Sequence, residues 1–245
     1  MAHALGKEDV AAEYEELYHK IVKKFQETFF DAEGNMTAQT QTAHIVALYF
    51  QLTPEKYITK TVEGLKRLLD KENGHLVTGF VGTPYFCHAL SQNHALKEAY
   101  DLLLKEDFPS WLYQVKKGAT TIWEHWDSYT KEKGFGGQNA MNSFNHYSLG
   151  SVLSWLYHTG LGIQRDETKP GYQHILLKPQ PGPLEFMKGS VDSPYGVISA
   201  GWERKGDKIE YQVTIPVNTT ATLFKNTQDP ADTVELGSGT YTFML

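Results

Sequence analysis

The sequence predicts a multi-domain α and β protein: a helical part of stacked helix pairs, residues 1–165, then a small antiparallel β-sandwich, residues 168–245. Apolar residues recur at spacings of three and four through the first part, as they do in helices that bury one face. Beyond Gly162 the apolar period drops to two, which marks half-buried strands. Neither a strong internal repeat nor a low-complexity linker is present. At 245 residues, with 40% hydrophobic and 21% charged side chains, the chain is long enough for both parts to bury cores.

The helical elements follow in order. From Val10 the residues Tyr14, Leu17, Tyr18, Ile21, Val22, Phe25 and Phe29 line one side of a long amphipathic helix. Residues 41–52 are apolar nearly all round, so the next helix is expected to be buried on most sides. Thr53-Pro54 reads as a cap and first-turn proline for a helix whose stripe is Val62, Leu65, Leu68 and Leu69. A fourth helix runs from about Asn93 to Lys105, with Leu96, Ala99, Tyr100 and Leu103 facing inward. Residues 143–160 carry Phe144, Tyr147, Val152, Leu156 and Tyr157 on one side until Gly160 ends the helix. In the second part Ile209, Tyr211, Val213 and Ile215 alternate with polar residues and are expected to point inward. HILLKP, GVISAGWER, TATLFKN and TYTFML are further short strands, separated by PQPGP, KGD and GSG turns.

Composition removes several function classes. A net charge of -6 gives no general attraction to nucleic acid or to an anionic membrane. Cys87 stands alone, which excludes an intramolecular disulfide and a cysteine-based zinc site. His44, His88 and His94 lack metal-ligand spacing, so no metal is expected, and with no glycine-rich phosphate loop no cofactor is expected either. No apolar run reaches membrane-spanning length. The stretch MAHALGKEDVAAEY has neither the basic nor the apolar region of a signal peptide. As written the chain is expected in the cytoplasm, a location that a longer parent protein need not share.

Aromatic and polar residues crowd the loops of the helical part: TGFVGTPYF at 78–86, FPSWLY at 108–113, TTIWEHWD at 120–127 and MNSFNHY at 141–147. Aromatic faces against sugar C–H surfaces, with carboxylate, amide and imidazole groups on hydroxyls, form a carbohydrate-binding inventory. Taken singly, each aromatic reads better as core, and only their gathering in loops favours a cleft. Glu124 between Trp123 and Trp126 is the leading catalytic candidate, because neighbouring indoles exclude water from a carboxylate. Asp127 reads as its partner or as a turn residue, and His146 as a hydroxyl-binding group or a satisfied core histidine. GFGG at 134–137 reads as a flexible loop lining the cleft.

The runs TGFVGTPYF, PSWLYQVKKGATTIWEHWDS, MNSFNHYSLGSVLSWLYHTGLGI and PGYQHILLKPQP, in this order and spacing, resemble the C-terminal portion of bacterial α-L-rhamnosidases, glycoside hydrolase family 78. The resemblance extends from ALGKEDVAAEY to the last strands. It implies an α/α-barrel (toroid) of six helical hairpins followed by a β-sandwich, and an inverting hydrolysis of terminal α-L-rhamnose. By the same resemblance Glu124 corresponds to the general base and His146 contacts rhamnose. Trp123 and Trp126 are expected to form the wall, and Tyr85 and Trp111, from the aromatic loops at 78–86 and 108–113, complete the expected sugar-binding set. The Asp/Arg/Glu-rich block that carries the family's general acid has no counterpart here. The helical part therefore reads as an incomplete barrel.

A rhamnosidase-type hydrolase present as a fragment that carries the base is the leading expectation. The alternative is a non-catalytic carbohydrate-binding chain, or a structural remnant that needs a partner. The expected ligand is a rhamnose-containing glycoside or oligosaccharide, and nucleic acid and membrane are not expected. The protein partner is a second copy (a homo-oligomer) or a complementing chain with the N-terminal half of the barrel.

Overall fold

In the computed structural model, residues 1–132, 134–135, 141–226, 229 and 231–245 are described. They fall into two compact units, Met1–Leu149 and Gly150–Leu245.

Helix α1, Glu8–Phe29, opens with Glu8 and Asp9, which favour the positive end of the helix dipole. Its apolar stripe is present, but within this unit little covers it. Only Ala11 is buried, while Tyr14, Leu17, Tyr18 and Ile21 are exposed, Tyr14 by 65%. The C-terminal end is anchored by Phe30, whose ring lies 6.4 Å from Phe25 and 6.3 Å from Tyr57. Helix α2, Gln41–Tyr49, starts at Thr40, whose hydroxyl accepts the Ala43 N–H at 3.2 Å. As its composition predicts, Gln41, His44, Ile45, Ala47 and Leu48 are buried. It stops short of residue 52 because Gln51 takes a left-handed φ of 56° and Leu52 N–H returns to the Ala47 carbonyl at 2.8 Å.

Thr53 does not cap the next helix. Its hydroxyl oxygen is buried and finds no hydrogen-bond partner among the described residues, and Pro54 instead leads into a short 3₁₀ turn, Glu55–Tyr57. That turn runs into α3, Ile58–Lys71, which buries Val62, Leu65 and Leu69. Helix α4, Phe86–Gln92, lies in a stretch that the aromatic loop pattern hid; five of its residues, Phe86 through Leu90, are buried. His94, with φ of 61°, turns the chain into α5, Leu96–Leu103. Helix α6, Trp111–Lys116, is likewise hidden inside an apparent loop and is capped by Ser110, which accepts the Tyr113 N–H at 3.1 Å. Strands β1, Tyr129–Thr130, and β2, Gly134–Phe135, form a small hairpin, so the first half of GFGG is paired; Gly136 and Gly137 lie outside the described residues. Helix α7, Tyr147–Gly150, closes this stretch.

The second unit continues through α8, Val152–Trp155, and a π turn, Leu156–Gly160. Strands β3, Ile163–Arg165, β4, His174–Leu177, β8, Thr220–Phe224, and β9, Thr233–Leu236, form one four-stranded sheet. Residues 163–165, which the sequence groups with the helical part, thus belong to this sheet by their pairing with β4. Strands β5, Phe186–Ser193, β6, Gly196–Lys205, β7, Lys208–Ile215, and β10, Gly239–Met244, form the other, in the order β10-β7-β6-β5. The second sheet is antiparallel throughout. The first is mixed, because β4 and β8 run parallel, a crossover that strand patterning does not reveal.

The two sheets share one core that includes Ile175, Leu177, Ile198, Trp202, Tyr211, Val213 and Leu223. Ile209, Tyr211, Val213 and Ile215 are all buried, as their alternation predicts. The polar atoms that this core takes in are satisfied: Trp202 Nε1–H donates to the Gly160 carbonyl at 2.9 Å and Tyr211 O–H to that of Leu161 at 3.0 Å.

Candidate functional site

Two irregular segments of the first unit hold the site. Glu124 N–H donates to the Ser143 carbonyl at 2.9 Å and His146 N–H to that of Ile122 at 3.0 Å, which fixes residues 122–124 beside 143–146. The turn after Glu124 is anchored from beneath. Gln114, buried, donates from Nε2 to the His125 carbonyl at 3.1 Å. The buried Ser128 hydroxyl accepts the His125 N–H at 3.1 Å and donates to Asn142 Oδ1 at 2.6 Å, and Asn142 Nδ2 donates back to the Ser128 carbonyl at 3.1 Å. Residues drawn from distant positions are therefore locked by satisfied, partly buried hydrogen bonds, and their geometry does not rest on loop conformation alone.

The Glu124 carboxylate is about a quarter exposed, at 24%. Oε2 accepts the Ser143 N–H at 2.8 Å. Oε1 faces two imidazoles, with His125 Nε2 at 3.9 Å and His146 Nε2 at 4.0 Å. These separations are too long for hydrogen bonds, and among the described residues no protein donor takes Oε1. Ser148 N–H donates to His146 Nδ1 at 3.2 Å, so in the neutral ring the proton sits on Nε2, facing the carboxylate. A water or a sugar hydroxyl placed between these groups would meet a proton acceptor and two imidazole nitrogens at once.

A cavity of about 490 Å³ opens over this group. Glu124, Trp126 and His146 line it together, as the sequence predicts, with His125, Asp127 and Tyr147 beside them. Phe80 and Phe108 supply its other aromatic surface; they are 62% and 51% exposed, which suits rings that meet a ligand better than rings that fill a core. The Thr78–Thr83 hydroxyl contact at 2.9 Å closes the loop that carries Phe80. Upstream of that loop, Gln41 holds the chain through the His75 carbonyl at 2.9 Å and the Val77 N–H at 3.0 Å.

Three expected sugar-binding residues lie elsewhere. Trp123 is buried, with its ring 5.7 Å from Phe144 and 6.5 Å from Tyr129, so it belongs to the packing behind the site. Trp111 is also buried. It donates from Nε1 to the Leu149 carbonyl at 2.9 Å and meets Trp126 edge-on at 5.3 Å, thereby supporting the wall that Trp126 presents. Tyr85 packs on Tyr49 at 4.5 Å and on Phe50 at 5.1 Å, outside the cavity lining. The residues that sequence reasoning passed over, His125, Phe80, Phe108 and Tyr147, all lie in the aromatic loops already marked. What was missing was which ring of each loop turns outward. Among the described residues no group of three or more His, Cys, Asp or Glu side chains is placed to hold a metal.

Residues 1–159 match the family model of the bacterial α-L-rhamnosidase six-hairpin glycosidase domain, and residues 162–238 that of the bacterial α-L-rhamnosidase C-terminal domain. An α-L-rhamnosidase of Formosa agariphila is 37% identical over 91% of this chain and 24% of its own length. One of Streptomyces avermitilis is 33% identical over 100% of this chain and 25% of its own. The crystal structure of Streptomyces avermitilis α-L-rhamnosidase complexed with L-rhamnose matches with a TM-score of 0.90 at 32% identity, over 100% of this chain and 25% of that one. Native α-L-rhamnosidase from Aspergillus terreus matches with a TM-score of 0.91 at 32% identity, over 100% of this chain and 28% of that one. The chain spans about a quarter of the length of these curated relatives.

Proposed function

The chain belongs to the bacterial α-L-rhamnosidase family, and from that premise we propose that its cavity takes the rhamnosyl unit of an α-L-rhamnoside, with Glu124 as general base of an inverting hydrolysis. The observation that carries this reading is the asymmetric setting of one carboxylate. Oε2 is committed to the Ser143 amide, and Oε1 is open toward two imidazoles under an aromatic wall. A base that activates water needs such an oxygen, fixed in direction and uncommitted. That a solved relative is complexed with L-rhamnose supports the choice of sugar.

An inverting pair stands roughly 6.5–9.5 Å apart across the scissile bond. Asp127 shares the cavity lining, but it follows Glu124 by three positions on the same turn, so we assign the general acid to helices outside these 245 residues. The exposed stripe of Tyr14, Leu17, Tyr18 and Ile21 supports further helices there, since an apolar face of this sort is normally covered.

Aryl α-L-rhamnoside hydrolysis, measured with the chain alone and with a complementing N-terminal barrel half, tests both points. The chain alone is expected to turn over slowly and the complemented pair fast. Glu124→Gln should lower the restored rate by about 10²–10⁴-fold, with calorimetric rhamnose affinity nearly unchanged. Turnover that survives Glu124→Gln would show that another group is the base. Rhamnose binding without turnover in the complemented pair would favour the non-catalytic sugar-binding alternative.

A further inference from the structure

A second concave surface lies in the other unit, on the outer face of the sheet formed by β5, β6 and β7. It is a groove of about 410 Å³, and none of its lining residues belongs to the Glu124 cavity. Directly paired residues of neighbouring strands share a face, so the register gives its layout. Lys188, Gly201 and Gln212 form the middle row. The floor is Gly201: a Cβ there would come within 2.9 Å of Lys188 Cγ, so the missing side chain creates the depression and the lysine stem lies along it.

On one side of that row stand Ser190, Ser199 and Thr214; on the other stand Glu203 and Glu210, in line with Phe186 at the sheet edge. Phe186 is 62% exposed at the β5 end of that row, and Met244, opposite Glu210 on β10, is 51% exposed at the other end. Glu203 pairs with Lys205 at 3.0 Å. Among the described residues, no protein hydrogen bond or ion pair takes up the side chains of Lys188, Ser190, Ser199, Glu210 or Gln212.

Water-facing polar side chains are ordinary on a sandwich, but this set differs in three respects. It is concave, it mixes donors and acceptors, and its charge nearly balances: Lys188 stands against Glu203 and Glu210 in the lining, and Lys205, just outside it, pairs with Glu203. A phosphorylated or strongly charged ligand would find no net field here. A neutral ligand whose every hydroxyl both donates and accepts would find complementary partners along the whole groove. The exposed Phe186 ring offers a flat apolar platform for the C–H face of such a ligand.

We propose that this groove is a saccharide-binding site, separate from the Glu124 cavity and independent of any catalytic role for it. Its work would be to hold a saccharide on the second unit. The probes are methyl α-L-rhamnoside and maltotriose, titrated into the full ¹⁵N-labelled chain while backbone amide shifts are followed. At least one probe is expected to shift amides at 186–190, 199–203 and 210–214 with a dissociation constant on the order of millimolar. The double variant Phe186→Ala, Gln212→Ala should weaken that response by about tenfold or more, with its other amide positions unchanged as proof of folding. Gly201→Ala, which only fills the floor, should weaken it too. Glu124→Gln should leave it intact.

Titrations in which neither probe moves the sheet amides would overturn the proposal. So would a sheet response that persists undiminished in the double variant. Shifts confined to 78–83 and 124–149 would likewise reject the groove while supporting the Glu124 cavity, so the two readings fail separately.

Discussion

Glu124, Trp123 and Trp126 are near neighbours in the sequence, and each has a different fate. Backbone hydrogen bonds hold residues 122–124 against 143–146, and in that arrangement Trp123 goes into the packing while Glu124 faces the cavity. Trp126 lies on the following turn and returns to the cavity side. The spacing of the tryptophans therefore marks the place of the site but not which indole lines it. Cys87 is a clearer case, because a lone free cysteine already reads as buried. In the structure it is 4% exposed, and burial pushes its thiol up to about 12. The thiolate is the reactive form, so a thiol reagent at pH 8 should label the native chain negligibly and label it fully in denaturant. Rapid labelling without denaturant would show that α4 opens readily.

Among the elements, long helices with one apolar stripe were legible and short buried ones were not. Helices α4 and α6 span seven and six residues, too short to display a helical period, and their aromatics read as loop chemistry. Strand β5 carries Gly189 and Ser190 in place of a strong apolar alternation, which hides it as well. The approach of α2 to α3 depends on a glycine that no pattern distinguishes. A Cβ on Gly64 would lie 2.8 Å from His44 Nε2 and 3.1 Å from Cδ2. His44 is buried and held by its Nδ1–H to the Thr40 carbonyl at 2.9 Å, so the ring has little room to yield. Gly64→Ala gains about 1 kcal/mol of helix propensity, but overpacking of this kind costs about 1–3 kcal/mol. Urea denaturation should show net destabilisation, relieved when His44→Ala is added. A more stable single variant would mean that the helices move apart freely.

For the whole molecule, two histidines tie stability to pH. Burial holds His44 below its ordinary value, against the Thr40 hydrogen bond and aided by Arg67; burial also lowers His158, with Lys178 and Arg165 adding to the effect. The unfolded chain, with histidines near pH 6.5, takes up protons that the native state refuses, so stability is full above about 6.5 and falls as pH drops through that value. The carboxylates held low, Asp31, Asp107, Asp166 and Glu203, act only in a more acidic window. The urea midpoint is therefore expected to fall between pH 7 and 5, and the double variant His44→Gln, His158→Gln should flatten that fall. An unchanged slope would place the dependence in other groups. The sequence by itself determined the helical part followed by strands, the inward register of β7 and the loops in which a sugar-type site would form. These follow from local periodicity and residue chemistry, which short segments carry within themselves. Only the tertiary structure decided the parallel pairing of β4 with β8, the rings that leave the core for the cavity, and the partnership of Glu124 with Ser143, His125 and His146. Most of these join residues far apart in the chain, and even His125, next in sequence to Glu124, turns toward its carboxylate only because distant hydrogen bonds shape the turn. Such contacts are fixed by packing, which no local pattern records.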